Sequence, residues 1–212
     1  KELTPTLKRW VRLGLRELSA NRSWNGLACS ALKDEPTKFE KLDKPARIMA
    51  SQSLPHHVID VMLFSSVQAV LKSIPFVSRC FEGVCSVTDE WSQIFEWLDA
   101  VSEEPNYIEG DLKKMDMSLN GQLIRSSGRV LAGVARGLGA TETHCTMIKA
   151  RVADLASGIW DYQGDYIRIE ANTSGNRLTV TTNNIAGVQI PHRYAYICLN
   201  YAKKHGLKVT LV

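Results

Sequence analysis

The sequence predicts an α/β protein, with a mixed or antiparallel sheet backed by helices. Three observations carry that prediction. Long stretches repeat apolar side chains at helical spacing. Shorter stretches alternate with period two, or are stiffened by proline in a way no helix accepts. The two kinds of segment alternate along the chain, which is the pattern of helices packed on a sheet.

Residues 5–20, PTLKRWVRLGLRELSA, set Leu7, Trp10, Val11, Leu13 and Leu15 among basic residues and read as an amphipathic helix. A polar stretch follows, and then Pro36 and Pro45 forbid a continuous helix over 27–49, so extended arms around a loop are expected. Residues 55–74 have apolar side chains at 58, 61, 62, 67, 70, 71 and 74, with Pro55 near the start and Pro75 closing a helix. A further helix covers 88–101, with Thr88 or Asp89 as its cap. Tyr107 to Asp111 reads as a short strand, and the glycine-interrupted stretch to 140 as helix. After an amphipathic stretch at 143–156, GDYIRIEA at 164–171 alternates as a strand should. A helix beginning near Arg177 is expected to break at Pro191 and resume, and LKVTLV at 207–212 reads as a last strand.

At 212 residues the chain can bury one sizeable core or two modest lobes. With 44% apolar and 23% charged residues and no low-complexity tract, it falls among globular rather than disordered or fibrous chains. The net charge of +4 admits an anionic partner without requiring one. Cys29, Cys80, Cys85, Cys145 and Cys198 are odd in number and form no C-x-x-C pair, which favours reduced thiols, with Cys80 and Cys85 half-buried rather than half of a metal site. No apolar run reaches membrane-spanning length and no signal peptide opens the chain. Both ends, Lys1 and the strand-like LKVTLV, read as cut from something longer.

Three stretches carry chemistry. In GDLKKMDMS, Asp111 and Asp116 are five apart, which suits a strand ending at Asp111 and a turn swinging Asp116 over the same cleft. A carboxylate at a strand end suits a hard cation such as Mg²⁺, although D-x4-D is also common on solvated loops. In KDEPTKFEKLDKPAR, five cations (Lys33, Lys38, Lys41, Lys44 and Arg47) are nearly cancelled by Asp34, Glu35, Glu40 and Asp43. That is either a solvated charge run or a proline-stiffened arm that meets a triphosphate, with Arg47 offering a planar fork. In ANTSGNRLTVTTNN, Ser174 and Gly175 make a flexible entry to a helix on which Thr179 and Asn183 share a face.

In this order the three stretches resemble motifs F (33–47), A (111–116) and B (174–183) of the RNA-dependent RNA polymerases of positive-strand, picorna-like RNA viruses. The resemblance covers about residues 27–212. It implies a right-hand polymerase fold: mainly fingers over 1–105, palm over 106–140, a fingers/palm return over 141–172, and palm again over 173–212. Motif C, a Gly-Asp-Asp turn, is absent, so the resemblance implies truncation just before it, a missing thumb, and a fragment with little or no polymerisation of its own.

The implied reaction is template-directed RNA synthesis, nucleotidyl transfer from a nucleoside triphosphate to an RNA 3′-hydroxyl. Asp111 and Asp116 are the implied catalytic carboxylates. Asp116, Ser174, Gly175, Thr179 and Asn183 surround the ribose, with Thr179 orienting rather than touching substrate. Lys33, Lys38, Lys41, Lys44 and Arg47 face the triphosphate. Asp111 and the carbonyl of Leu112 ligate metal, two Mg²⁺ ions in the complete enzyme with Mn²⁺ as the alternative ion. Implied partners are an RNA template-primer, nucleoside triphosphates and other viral replication proteins. The implied location is the host cytoplasm at virus-induced membranes, with no transmembrane segment. His56, His57, His144, His192 and His205 lack carboxylates at catalytic spacing and read as surface or packing residues. The rival readings are a reverse-transcriptase-like palm and a non-catalytic RNA-binding domain.

Overall fold

A computed structural model describes residues 2–24, 27–32, 48–82, 84, 85, 87–101, 118–170, 172 and 177–206. Within them the chain forms helices α1 (Pro5–Ser19), α2 (Leu54–Ser73), α3 (Pro75–Ser78), α4 (Asp89–Val101), α5 (Gly121–Gly137), α6 (Glu142–Leu155) and α7 (Thr179–Lys204), with strands β1 (Leu27–Leu32), β2 (Ile48–Gln52), β3 (Gly158–Tyr162) and β4 (Asp165–Ile169). The protein is therefore mixed α and β, as its periodicities predict. The strands expected over 107–111 and 207–212 lie outside the described residues.

The four strands form one sheet in the order β2-β1-β3-β4. β1 pairs antiparallel with β2 and parallel with β3, and β3 pairs antiparallel with β4. The β3–β4 hairpin turns on Gln163 and Gly164, both at positive φ (55° and 94°). That is the combination a two-residue turn needs to follow strand twist. Asp161 steadies the turn by accepting from the Gly164 N–H at 2.9 Å. Period-two alternation predicts only the second arm of this hairpin; GIWDY at 158–162 alternates too poorly to be read as a strand.

Helix ends follow local chemistry. Thr4, Asn120 and Thr141 cap α1, α5 and α6 by accepting from Leu7 N, Leu123 N and His144 N. α5 and α6 approach closely at Gly128, where a Cβ would stand 2.9 Å from Val152 Cβ. α1, α2, α5 and α6 enclose the core, centred on Leu18, Ile59, Phe64, Ile124, Leu131, Ile148 and Val152. α2 is the one described helix long and apolar enough to cross a membrane. Its buried face, however, carries His56, Asp60 and Gln68, all hydrogen-bonded to neighbouring elements, as befits a core helix.

Two expectations need correction. α7 does not break at Pro191; it runs through it. A proline removes the donor for the carbonyl four residues back and presses its ring against it. Here that residue is Gly187, and the helix nonetheless continues to Lys204. Cys80 and Cys85 are not both half-buried: Cys80 is buried, Cys85 is exposed, and both are free thiols, as are Cys29 and Cys145.

Candidate nucleotide site

Of the catalytic, ribose, triphosphate and metal residues expected from the sequence, Thr179 and Asn183 are described. They open α7 on one face, as their spacing predicts. Lys33, Lys38, Lys41, Lys44, Arg47, Asp111, Leu112, Asp116, Ser174 and Gly175 lie outside the described residues. What the structure describes is the frame that holds those stretches at their ends.

The first part of the frame closes the Ser-Gly loop. Asn172, 1% exposed, precedes the loop, and its Nδ2 donates both to the Thr179 carbonyl (3.2 Å) and to Asn183 Oδ1 (2.7 Å). One buried amide thus ties the start of the loop to the first turn of the helix beyond it. Because Asn183 Oδ1 is taken by Asn172, the amide group is fixed in orientation. Its Nδ2 hydrogens point away from that bond and meet no acceptor among the described residues.

The loop's other end is held by Gln68 on α2. Gln68 Nε2 donates to Thr181 Oγ1 at 2.9 Å and to the Arg177 carbonyl at 3.4 Å, and its Oε1 accepts from Arg177 Nε at 3.1 Å. Further along α7, Asn184 Nδ2 donates to Cys80 Sγ at 3.0 Å, and Ser126 on α5 donates to Gln189.

The second part of the frame holds the ends of the basic arm. β1 leads into residues 33–47 and β2 leads out, and Leu32 is paired with Ile48, so the arm leaves and returns at one place. At the opposite end of the two strands, where Gln52 pairs with Ala28, lies a buried polar network. Arg151 on α6, 2% exposed, grips Asp60 on α2, 0% exposed, through Nε–Oδ1 at 2.6 Å and Nη2–Oδ2 at 3.0 Å. Its Nη2 also donates to Gln52 Oε1 at the end of β2, at 2.8 Å. Asp154 accepts from Ser23 Oγ (2.6 Å) and Trp24 N (2.9 Å) ahead of β1.

His56 completes the network. It stacks on Trp24 with ring centroids 4.2 Å apart; its Nε2 lies 2.9 Å from the Trp24 carbonyl and its Nδ1 2.7 Å from Ser53 Oγ. A carbonyl can only accept, so Nε2 carries a proton, and in the neutral ring Nδ1 then accepts from the serine. Burial, aided by the nearby Arg151 cation, accordingly holds His56 below its ordinary pKa. Burial likewise raises Asp154, against the hydrogen bonds from Ser23 and Trp24 that favour its charged form.

Both parts of the frame hang on α2. Asp60 and Gln68 are eight positions apart, which is about 12 Å along the helix axis. Asn172 and Gln68 were not singled out in the sequence. Gln68 carries a usable signal, a polar side chain among apolar neighbours on a long core helix; Asn172 carries none, since nothing local couples it to Asn183. Among the described residues no group of three or more His, Cys, Asp or Glu side chains could hold a metal ion, and the expected ligands at 111 and 112 are not among them. No family model matches the chain, and no curated protein matches it.

Proposed function

We propose that this chain is the fingers and the first half of the palm of a right-hand RNA-dependent RNA polymerase of the picorna-like viral type, a nucleotidyltransferase acting on ribonucleoside triphosphates and an RNA template-primer. The observation that carries the reading is the clamp of Asn172 on Asn183. It presents an oriented amide donor near the start of α7, the helix that follows Ser174 and Gly175 in the sequence, and ribose recognition needs such a fixed polar group. The order of the three motifs along the sequence supplies the rest.

In this reading Asn183 donates to the ribose 2′-hydroxyl, Asp116 accepts from it, and Ser174 completes the set. A deoxyribose leaves those groups unpaired, which costs more than a missing contact alone. The arm cations, with Arg47 foremost, offset charge on the β and γ phosphates. Asp111 and the Leu112 carbonyl would hold Mg²⁺, which would supply a Lewis acid for the primer hydroxyl and offset charge on the phosphates.

The test is titration of the chain with ATP and dATP, with and without Mg²⁺, followed by calorimetry. Mg²⁺-dependent binding that favours the ribonucleotide by about tenfold, one hydrogen bond's worth, is expected. Asn183→Ala should reduce that preference, because one of the three groups facing the 2′-hydroxyl is lost. Equal affinity for both sugars refutes the reading; preference for dATP favours a reverse-transcriptase-like palm; RNA binding without nucleotide binding favours a non-catalytic domain.

A further inference from the structure

The outward face of α1 carries three exposed arginines. Val11, Gly14 and Leu18 are buried in the core, and Leu7 and Leu15 pack against it. At 100° per residue, Arg9, Arg12 and Arg16 fall on the opposite side of the helix. They share that surface with Thr6, Trp10 and Leu13. Trp10 is 49% exposed, although a tryptophan ordinarily gains by burial.

The local acids offset this row at Arg16 alone among its three arginines. Glu17 is bonded to Arg22 at 2.6 Å and reaches Arg16 at 3.4 Å, and Glu2 pairs with Lys8 at 3.5 Å. Arg9 and Arg12 have no ion-pair partner among the described residues. Rising along the helix, the three guanidinium stems span about 10 Å, so they can meet more than one phosphate of an extended strand.

We infer that this face of α1 is a docking surface for a single nucleic-acid strand, with Arg9, Arg12 and Arg16 on successive phosphodiesters and the Trp10 indole stacked on a base. Arginine forks match phosphate oxygens, and an exposed aromatic beside them is the combination that binds single strands without reading sequence. An anionic membrane fits less well. A helix lying in a bilayer interface needs its apolar face, and that face of α1 is already spent on the core. The inference rests on the polymerase reading only for naming the strand as RNA.

The test is fluorescence anisotropy of a labelled oligouridylate with the 212-residue chain over a salt series. Each phosphate contact on a single strand contributes about 0.7 to the slope of log affinity against log salt, so the Arg9→Gln/Arg12→Gln/Arg16→Gln variant should lose about 2 from that slope. Between about 50 and 200 mM salt the wild type should then lose roughly 20-fold more affinity than the variant. Trp10→Ala should weaken binding about tenfold while Trp10→Phe retains most of it. All four side chains face outward, and circular dichroism confirms that each variant is folded; the double variant Arg9→Gln/Arg12→Gln serves if the triple does not fold.

An unchanged slope overturns the inference, as does a wild type that fails to bind the oligonucleotide at about 50 mM salt. Loss of sedimentation with phosphatidylserine vesicles without loss of RNA binding overturns it in favour of a lipid surface. The polymerase reading stands or falls separately, on the sugar preference at Asn183.

Discussion

The Asp60–Arg151 pair offers the sharpest test of how the frame is held. Asp60→Asn replaces a carboxylate by an amide of the same shape. One of the two positions that accept from Arg151 then becomes a donor facing a donor. The guanidinium, 2% exposed, keeps its charge and loses its counter-ion, left with the one remaining amide oxygen and Gln52 at 2.8 Å as neutral acceptors. Breaking one side of a buried pair costs about 3–5 kcal/mol, because the remaining charge is desolvated without compensation. That is a large share of the 5–15 kcal/mol of stability ordinary for a domain. It should lower the melting temperature by roughly 6–20 °C for a chain of this length.

Urea unfolding followed by far-ultraviolet circular dichroism measures the loss directly, and hydrogen exchange should show it first in β2, which Arg151 reaches through Gln52. Replacing both partners, Asp60→Leu with Arg151→Met, removes the desolvated charges together and should recover most of the stability. A single Asp60→Asn change that lies within about 1 kcal/mol of wild type would refute the reasoning. So would a double variant no better than the single one.

Two further outcomes follow from the same frame. His56 is buried neutral with a pKa below its ordinary 6.5, so its contribution is fully present above that value and is lost as pH falls through the lowered folded value. Wild type should therefore lose stability on acidification below about pH 6.5 relative to His56→Gln, and parallel pH profiles of the two in chemical denaturation would disprove the assignment. Gln68→Ala leaves the Thr181 hydroxyl and the Arg177 carbonyl without their partner, at a cost of about 1–3 kcal/mol. Amide exchange should quicken in the first turn of α7 more than in α6, and a uniform change across the chain would speak against the clamp.

Much of the architecture is written in local periodicity. The apolar spacing of α1, α2 and α4, the prolines at 55 and 75, and the alternation in β4 each reflect a constraint acting within a few residues, and each element forms where that constraint predicts. Errors arose where a local rule met a neighbour. Pro191 lies inside a helix that continues past it, and β3 is drawn into the sheet by pairing with both β1 and β4 despite its weak alternation.

For the candidate site the division is different. Sequence alone determined which residue types could recognise a ribose or a phosphate and that Thr179 and Asn183 share a face, because helix geometry links positions four apart. Only tertiary structure decided that Asn172 orients Asn183, that Gln68 anchors the start of α7, and that Arg151 joins Asp60 to the end of β2. Those pairs are separated by 11, 113, 91 and 99 positions. No backbone periodicity reaches so far; burial brings such groups together, and their need for partners in a dry interior then selects which of them bond.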